Sequence, residues 1–332
     1  MTSGKLLRQL IKYGVEGNSD SFTNISEAII NEERQKQHHL LANDLERILY
    51  GRPKNTATGI LNFVGSIPTD QERGTPLLEV REPIRGLSEV VLSDENRSSI
   101  EELLMEHHRQ ETLQTYGMRP VDRILFCGPP GCGKTLTAEV IAAELSRPLV
   151  IVRLDSVISS YLGETASSLR KVFEYIAASQ MVVLFDEFDA LAKERSDLAE
   201  HGEIKRVVNA VLQMMDSYNG KSIIIAATNH EGILDTAIWR RFEEVLVFDP
   251  PNLEQVRKLL EMKLRGVRRE FSADDEKLIG MFKGMTHADV ERVLRRSIKE
   301  MVLNGQEFLQ MRHIGNSLRR ENARRQRIIG KR

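Results

Sequence analysis

Residues Gly128, Pro129, Pro130, Gly131, Cys132, Gly133, Lys134 and Thr135 run consecutively and combine glycine-rich backbone with a lysine and a hydroxyl. That combination suits phosphate. Gly128, Gly131 and Gly133 let backbone N–H groups converge on phosphate oxygens, and the N-terminus of a following helix adds the positive end of its dipole. Lys134 then reaches the β and γ phosphates of a nucleoside triphosphate, and Thr135 offers a hydroxyl to Mg²⁺. A glycine turn alone would only punctuate the chain. Here the apolar run Ile124, Leu125, Phe126 precedes it and a helical pattern from Leu136 to Leu145 follows, which is the strand-turn-helix setting this chemistry needs.

Two further groups of polar residues stand at the ends of apolar runs. Phe185 is followed by Asp186, Glu187, Phe188 and Asp189, so two adjacent acids fall at the carboxyl end of a buried strand, where a doubly wound sheet holds its ligand. Asp186 suits Mg²⁺ in its second coordination shell, and Glu187 suits the orientation of an attacking water. Ala227 and Thr228 lead to Asn229, which places an amide near the γ phosphate. Arg240 and Arg241 follow Trp239 and precede Phe242. In isolation such a pair is a solvated surface; beside a phosphate-binding turn it becomes a candidate for charge stabilisation in a neighbouring subunit.

The elements that must position these groups are legible from periodicity. Apolar runs at 123–127, 149–154, 181–185, 222–227 and 245–248 alternate with helical patterns between about 86 and 251, and their near-continuous hydrophobicity predicts a parallel sheet covered on both faces. Before this region, residues 1–50 read as a small helical module: Leu6, Leu7, Leu10 and Ile11 share one face, Phe22, Ile25 and Ile29 another, and Leu41, Leu45, Ile48 and Leu49 a third. Between 51 and 85, Pro53, Gly59, Gly65, Pro68, Gly74, Pro76 and Pro83 give turn chemistry without a sustained period, which reads as a linker with short ordered pieces. After Pro250 and Pro251 an all-helical end is expected: Asn252 is the candidate N-cap of one helix, and Thr286 with Asp289 forms the capping box of another.

Composition narrows the class. The chain has 332 residues, 41% apolar and 29% charged, with 47 basic against 48 acidic side chains. That balance lacks the global positive charge of a nucleic-acid binder, although eight Lys/Arg and one Glu gather between Met311 and Arg332. The two cysteines, Cys127 and Cys132, flank the turn and imply reduced, intracellular chemistry; Cys132 is either a redox-sensitive thiol or a small residue filling its position. No stretch approaches the roughly 20 apolar residues of a membrane span, so no membrane partner and a cytoplasmic location are expected.

From about Gly86 to Arg296 the chain resembles the AAA+ ATPases of the AAA clade. The resemblance makes residues 128–135 Walker A, Asp186 and Glu187 Walker B, Asn229 sensor 1, and Arg240 and Arg241 the finger arginines in a compact Arg-Arg-Phe form. It implies a P-loop α/β core at 86–250, a helical lid with a basic tail at 251–332, ATP and Mg²⁺ as ligands, with Leu136, His287 and Ala288 adding to the nucleotide site, and a ring, expected to be a hexamer. The lid motif, usually Ser-Gly-Ala-Asp, reads Thr286, His287, Ala288, Asp289, so His287 replaces a glycine; no sensor 2 arginine is evident. Tyr161, Leu162 and Gly163 stand where AAA unfoldases carry an aromatic pore loop, which implies a threaded protein substrate gripped through apolar area; a second central loop is expected at His201, Gly202, Glu203, Lys205 and Arg206.

Within residues 1–50, the run Leu7 to Tyr13, the turn Glu16, Gly17, Asn18, then Phe22 and the polar helix ending Leu45, Glu46, Arg47 resemble the N-terminus of bacterial AAA ATPases encoded beside a subtilisin-like serine protease, pairs implicated in plasmid incompatibility and phage defence. This implies such a protease as a partner, since the chain itself shows no protease signature. A nucleic-acid remodelling ATPase and a nucleotide-switched binding protein without threading are the alternatives.

Overall fold

The computed structural model describes residues 12–13, 22, 25–29, 32, 67–70, 74–154, 162–189, 210–229 and 236–329. The chain divides into two compact units, Met1–Val64 and Gly65–Arg332. In the first, the described residues are helical; Ile29 is buried and the Ser26 hydroxyl donates to the Phe22 carbonyl at 2.8 Å. Phe22 and Ile25 are half-buried, and the other apolar positions expected to form this module lie outside the described residues.

The second unit is built on a six-stranded sheet of β1 (Leu78–Arg81), β2 (Arg123–Cys127), β3 (Leu149–Val152), β4 (Val182–Phe185), β5 (Ile223–Thr228) and β6 (Glu244–Val247). Their order across the sheet is β1-β3-β4-β5-β2-β6. All neighbouring pairs are parallel except β1, which runs antiparallel to β3 with Leu78 opposite Val152. The five expected strands are present, and the α/β, parallel-dominated architecture follows.

β1 lies inside segment 51–85, expected as a linker with short ordered pieces, and completes the sheet edge as a strand that the periodicity did not show. Four residues between Pro76 and Pro83 are too short to show a period, and an edge strand pairs on one side only.

Alternate strand residues serve opposite faces. On one face Leu125, Val150, Val183, Phe185 and Ile224 meet Leu169, Val172, Phe173 and Ile176 of helix α3 (Leu162–Ala177), together with Val211, Leu212 and Met215 of a helix over 210–217. On the other, Ile124, Phe126, Leu184 and Ile225 meet Ile100, Leu103 and Leu104 of α1 (Asp94–His108) and Ala138, Ile141 and Ala142 of α2 (Lys134–Glu144). Burial on both faces explains why the strands read as continuous apolar runs.

A third core, with Val256 and Leu260 of α4 (Leu253–Lys263), Val290 and Leu294 of α5 (His287–Leu303), and Ile314 and Leu318 of α6 (Met311–Ile329), forms the helical end. Its entries are capped as the sequence leads one to expect. Asn252 and Gln255 form a capping box at 2.8 Å each way, and Thr286 with Asp289 forms another. The basic helix α6 is braced to α5 through Glu321, which pairs with Arg292 at 2.5 Å and Arg324 at 3.3 Å.

Candidate nucleotide site

Sheet order assembles the site. β2 delivers the glycine turn, β4 the acidic pair, and β5, lying between them, carries Asn229 into the gap at the carboxyl ends of the strands. Gly128, Gly131 and Gly133 have φ of 135°, 81° and 105°, values that side chains disfavour. At Gly128 there is also no room: a Cβ would lie 2.1 Å from the Phe248 carbonyl oxygen. Gly133 is the N-cap of α2 and gives no side-chain cap, unlike Ser93, Asn252 and Thr286 at their helices. The first N–H groups of α2 are thus left for an external acceptor, as phosphate binding requires.

Lys134 is buried, and its Nζ donates to the carbonyls of Gly128 at 2.6 Å and Pro129 at 3.1 Å and to Asn229 Oδ1 at 2.8 Å. No carboxylate lies within ion-pair distance of it among the described residues, and burial pushes its pKa down. A buried ammonium held only by neutral oxygens is a strong attractor for an anion.

Thr135 donates its hydroxyl to Asp186 Oδ2 at 3.0 Å, while Asp186 Oδ1 accepts the Glu187 N–H at 2.9 Å. A hydroxyl and a carboxylate so paired have the oxygen chemistry that fits Mg²⁺. Glu187 is exposed and sits at φ 52°, a left-handed turn immediately after β4. The triphosphate and its metal therefore fit the residues present.

The remaining nucleotide-site candidates surround this centre. Pro130 and Gly131 are exposed, and Leu136 packs against the core on the α1 face. The Ala288 N–H donates to the Gly131 carbonyl at 3.0 Å, so the first turn of α5 rests on the glycine turn. His287 is sealed there. Neither ring nitrogen completes a hydrogen bond among the described residues, and burial outweighs the nearby Val91 backbone to hold its pKa at about 4. Cys132 is 3% exposed with its thiol pKa pushed up by burial, which favours the packing role over a reactive thiolate. Both residues line a cavity of about 370 Å³ between α1, β6 and the start of α4.

The two arginines, equivalent in sequence, differ in structure. Arg241 binds Asp216 Oδ2 through Nε at 3.0 Å and Nη2 at 2.8 Å. Arg240 is exposed and makes no hydrogen bond or ion pair among the described residues. The next residues are anchored too: Phe242 is buried, and Glu243 binds Arg123 Nη2 at 2.6 Å while its N–H donates to the Arg123 carbonyl at 3.0 Å. Asp122 lies beside this pair, and burial together with Glu243 raises its pKa to about 6.

Sequence reasoning assigned no role to Asp189. Its carboxylate, 2% exposed, accepts the Asn229 N–H at 3.3 Å and the Thr228 hydroxyl at 3.4 Å, and so fixes the residue that touches Lys134. The only signal was its place in the acidic run after β4. Tyr161 and the second expected central loop lie outside the described residues; Leu162 and Gly163 fall in the first turn of α3.

A glycine turn, a buried lysine, a hydroxyl–carboxylate pair and an exposed glutamate on this sheet define a P-loop nucleoside triphosphatase. The pattern of the ATPase family associated with various cellular activities (AAA) matches residues 124–250. An uncharacterised AAA family ATPase of Sinorhizobium fredii is 39% identical over 325 residues, 98% of this chain and 97% of that protein. Proteins named as 26S proteasome regulatory subunit homologues also match, from Methanothermobacter marburgensis at 32% over 200 residues and from Methanocaldococcus jannaschii at 30% over 203. This chain spans 54% and 55% of those two, respectively. The chain belongs to the AAA family, and ATP hydrolysis is its reaction. No helix among the described residues is long and apolar enough to cross a membrane.

Proposed function

We propose that this ATPase works as a ring, expected to be a hexamer, that uses ATP hydrolysis to remodel or thread a protein substrate. The observation that carries the ring is Arg240: it is held out to solvent by a segment whose neighbouring side chains are anchored, and so is available to the nucleotide of a second copy. The protein substrate is supported by the likeness to proteins named as proteasome regulatory subunit homologues.

In this reading Lys134 and the N-terminus of α2 bind the phosphates, and Thr135 with Asp186 would hold Mg²⁺. That ion supplies charge neutralisation of the triphosphate. Glu187 orients the attacking water and accepts its proton. Asn229, whose oxygen is engaged by Lys134, keeps its amide N–H groups to position that water or a γ-phosphate oxygen. Arg240 from the next protomer stabilises charge on the transferring phosphoryl group. Tyr161, Leu162 and Gly163 grip the substrate.

Glu187→Gln is expected to bind ATP normally and lose about 10²-fold or more in turnover, whereas Lys134→Ala weakens binding itself. Normal steady-state hydrolysis by Glu187→Gln removes the assignment. Threading is read separately: Tyr161→Ala should lose unfolding of a tagged test protein far more than it loses ATP turnover, and an unchanged unfolding rate removes threading. The subtilisin-like protease partner rests on the likeness of residues 1–50 alone. Co-purification that survives deletion of 1–50 moves the recognition surface elsewhere, and full-length protein that never co-purifies removes the pairing.

A further inference from the structure

Glu187 and Arg240 belong to different active sites in the ring just described, yet within one protomer a short chain of buried aromatics joins them. Glu187 sits in its left-handed turn with the following residue pinned: the Phe188 N–H donates to the Ala227 carbonyl of β5 at 2.8 Å. The Phe188 ring is 2% exposed and meets Phe242 edge to face, at 6.3 Å between centroids and 86° between planes. Phe242 is 7% exposed and lies two residues beyond Arg240.

The segment that carries Arg240 is otherwise tied down. Arg241 and Phe242 donate their N–H groups to the carbonyls of Ile238 and Trp239 at 3.1 and 3.2 Å, Arg241 holds Asp216, and Glu243 holds Arg123. Close-packed interiors transmit small displacements instead of absorbing them, and Phe188 and Phe242 share one buried core. A rearrangement of the Glu187 turn that shifts Phe188 therefore strains the base of the Arg240 segment.

We propose that Phe188 and Phe242 are positioning residues that couple the Glu187 turn of one protomer to the arginine the same protomer offers its neighbour. The inference rests on the ring reading above. It makes hydrolysis in adjacent sites interdependent through packing, with neither aromatic touching nucleotide.

Mixed rings test it. A protomer silenced by Lys134→Ala acts on wild-type neighbours only through what it contributes in trans. Phosphate release per wild-type site is measured at fixed ratio with silenced protomers carrying no second change, Arg240→Ala, Phe242→Leu or Phe188→Leu, with ring composition checked by native mass spectrometry and folding by thermal unfolding. Arg240→Ala should give the largest loss, and each Leu variant should lower the neighbour's turnover about three- to tenfold without weakening its nucleotide binding. If Phe188 only packs locally, silenced Phe188→Leu protomers leave their neighbours unaffected, and the coupling is overturned. If Arg240→Ala has no effect in rings shown to mix, or no mixed rings form, the ring reading fails and the coupling with it. Should either Leu variant not fold, Phe188→Met and Phe242→Met carry the same comparison with less change in volume.

Discussion

Arg240 and Arg241 should separate cleanly into one arginine for activity and one for stability. Arg241 makes two contacts of 2.8 and 3.0 Å to a single oxygen of Asp216, with 26% and 48% of the two side chains exposed. At 2.8 Å the Coulomb energy is about 1.5 kcal/mol in water-like dielectric, and the side-chain entropy of holding two mobile groups offsets part of it, leaving about 1 kcal/mol. Arg241→Ala should therefore lower the unfolding midpoint by about 2–4 °C and reduce turnover modestly by loosening the segment. Asp216→Ala, which leaves both arginines present, should reproduce the stability loss. Arg240 gives up no hydrogen bond or ion pair among the described residues, so Arg240→Ala should leave the midpoint unchanged, retain ATP binding and lose about 10³-fold in turnover. The assays are differential scanning fluorimetry, equilibrium binding of a fluorescent ATP analogue and steady-state phosphate release. Turnover that collapses in Arg241→Ala while Arg240→Ala stays active would refute the reasoning.

Gly128→Ala should abolish nucleotide binding and destabilise the fold by about 3 kcal/mol or more, because its Cβ meets backbone at Phe248; Gly133→Ala, with nothing within 4 Å, should cost only the strain of its φ, about 1–2 kcal/mol. Equal losses by thermal unfolding would show that the close approach at Phe248 does not matter. Asp189→Ala leaves the Asn229 N–H without that acceptor and should cost about 1–3 kcal/mol of stability, lowering turnover more than ATP affinity; an affinity loss as large as the turnover loss would contradict the role given to Asp189. Asp122, held near pKa 6, keeps a proton in the folded state that the unfolded chain has already released, so its contribution to stability falls as pH rises from about 4 through 6. Asp122→Asn should flatten denaturant-derived stability across that window and gain about 1–2 kcal/mol at pH 7, a figure reduced for the group's partial exposure; a stability profile with unchanged slope would place the titration elsewhere.

Much of the candidate site was legible because it is local. Residues 128–135 bring their glycines, lysine and hydroxyl within one turn, and the five parallel strands announce themselves through runs such as Ile223, Ile224 and Ile225 that are apolar on both faces. The caps at Asn252 and Thr286 were readable for the same reason, since each donor and acceptor is three residues apart. β1 was missed because four residues among prolines carry no usable period. His287 was visible as a departure from glycine, but the burial of its ring was not.

By itself, then, the sequence determined which residues have the chemistry proposed for binding phosphate and activating water, and that a strand and a helix flank the turn, because hydrogen bonding within a turn, helix or strand depends on near neighbours. Tertiary structure decided the rest. Asn229 reaches Lys134 because β5 lies between β2 and β4, an order set by burial across the whole sheet. Asp216 takes Arg241 and leaves Arg240 exposed, although nothing local distinguishes two adjacent arginines. Phe188 meets Phe242 from a distant part of the chain, since the packing of large rings is settled by the volume left when separate elements close on one core.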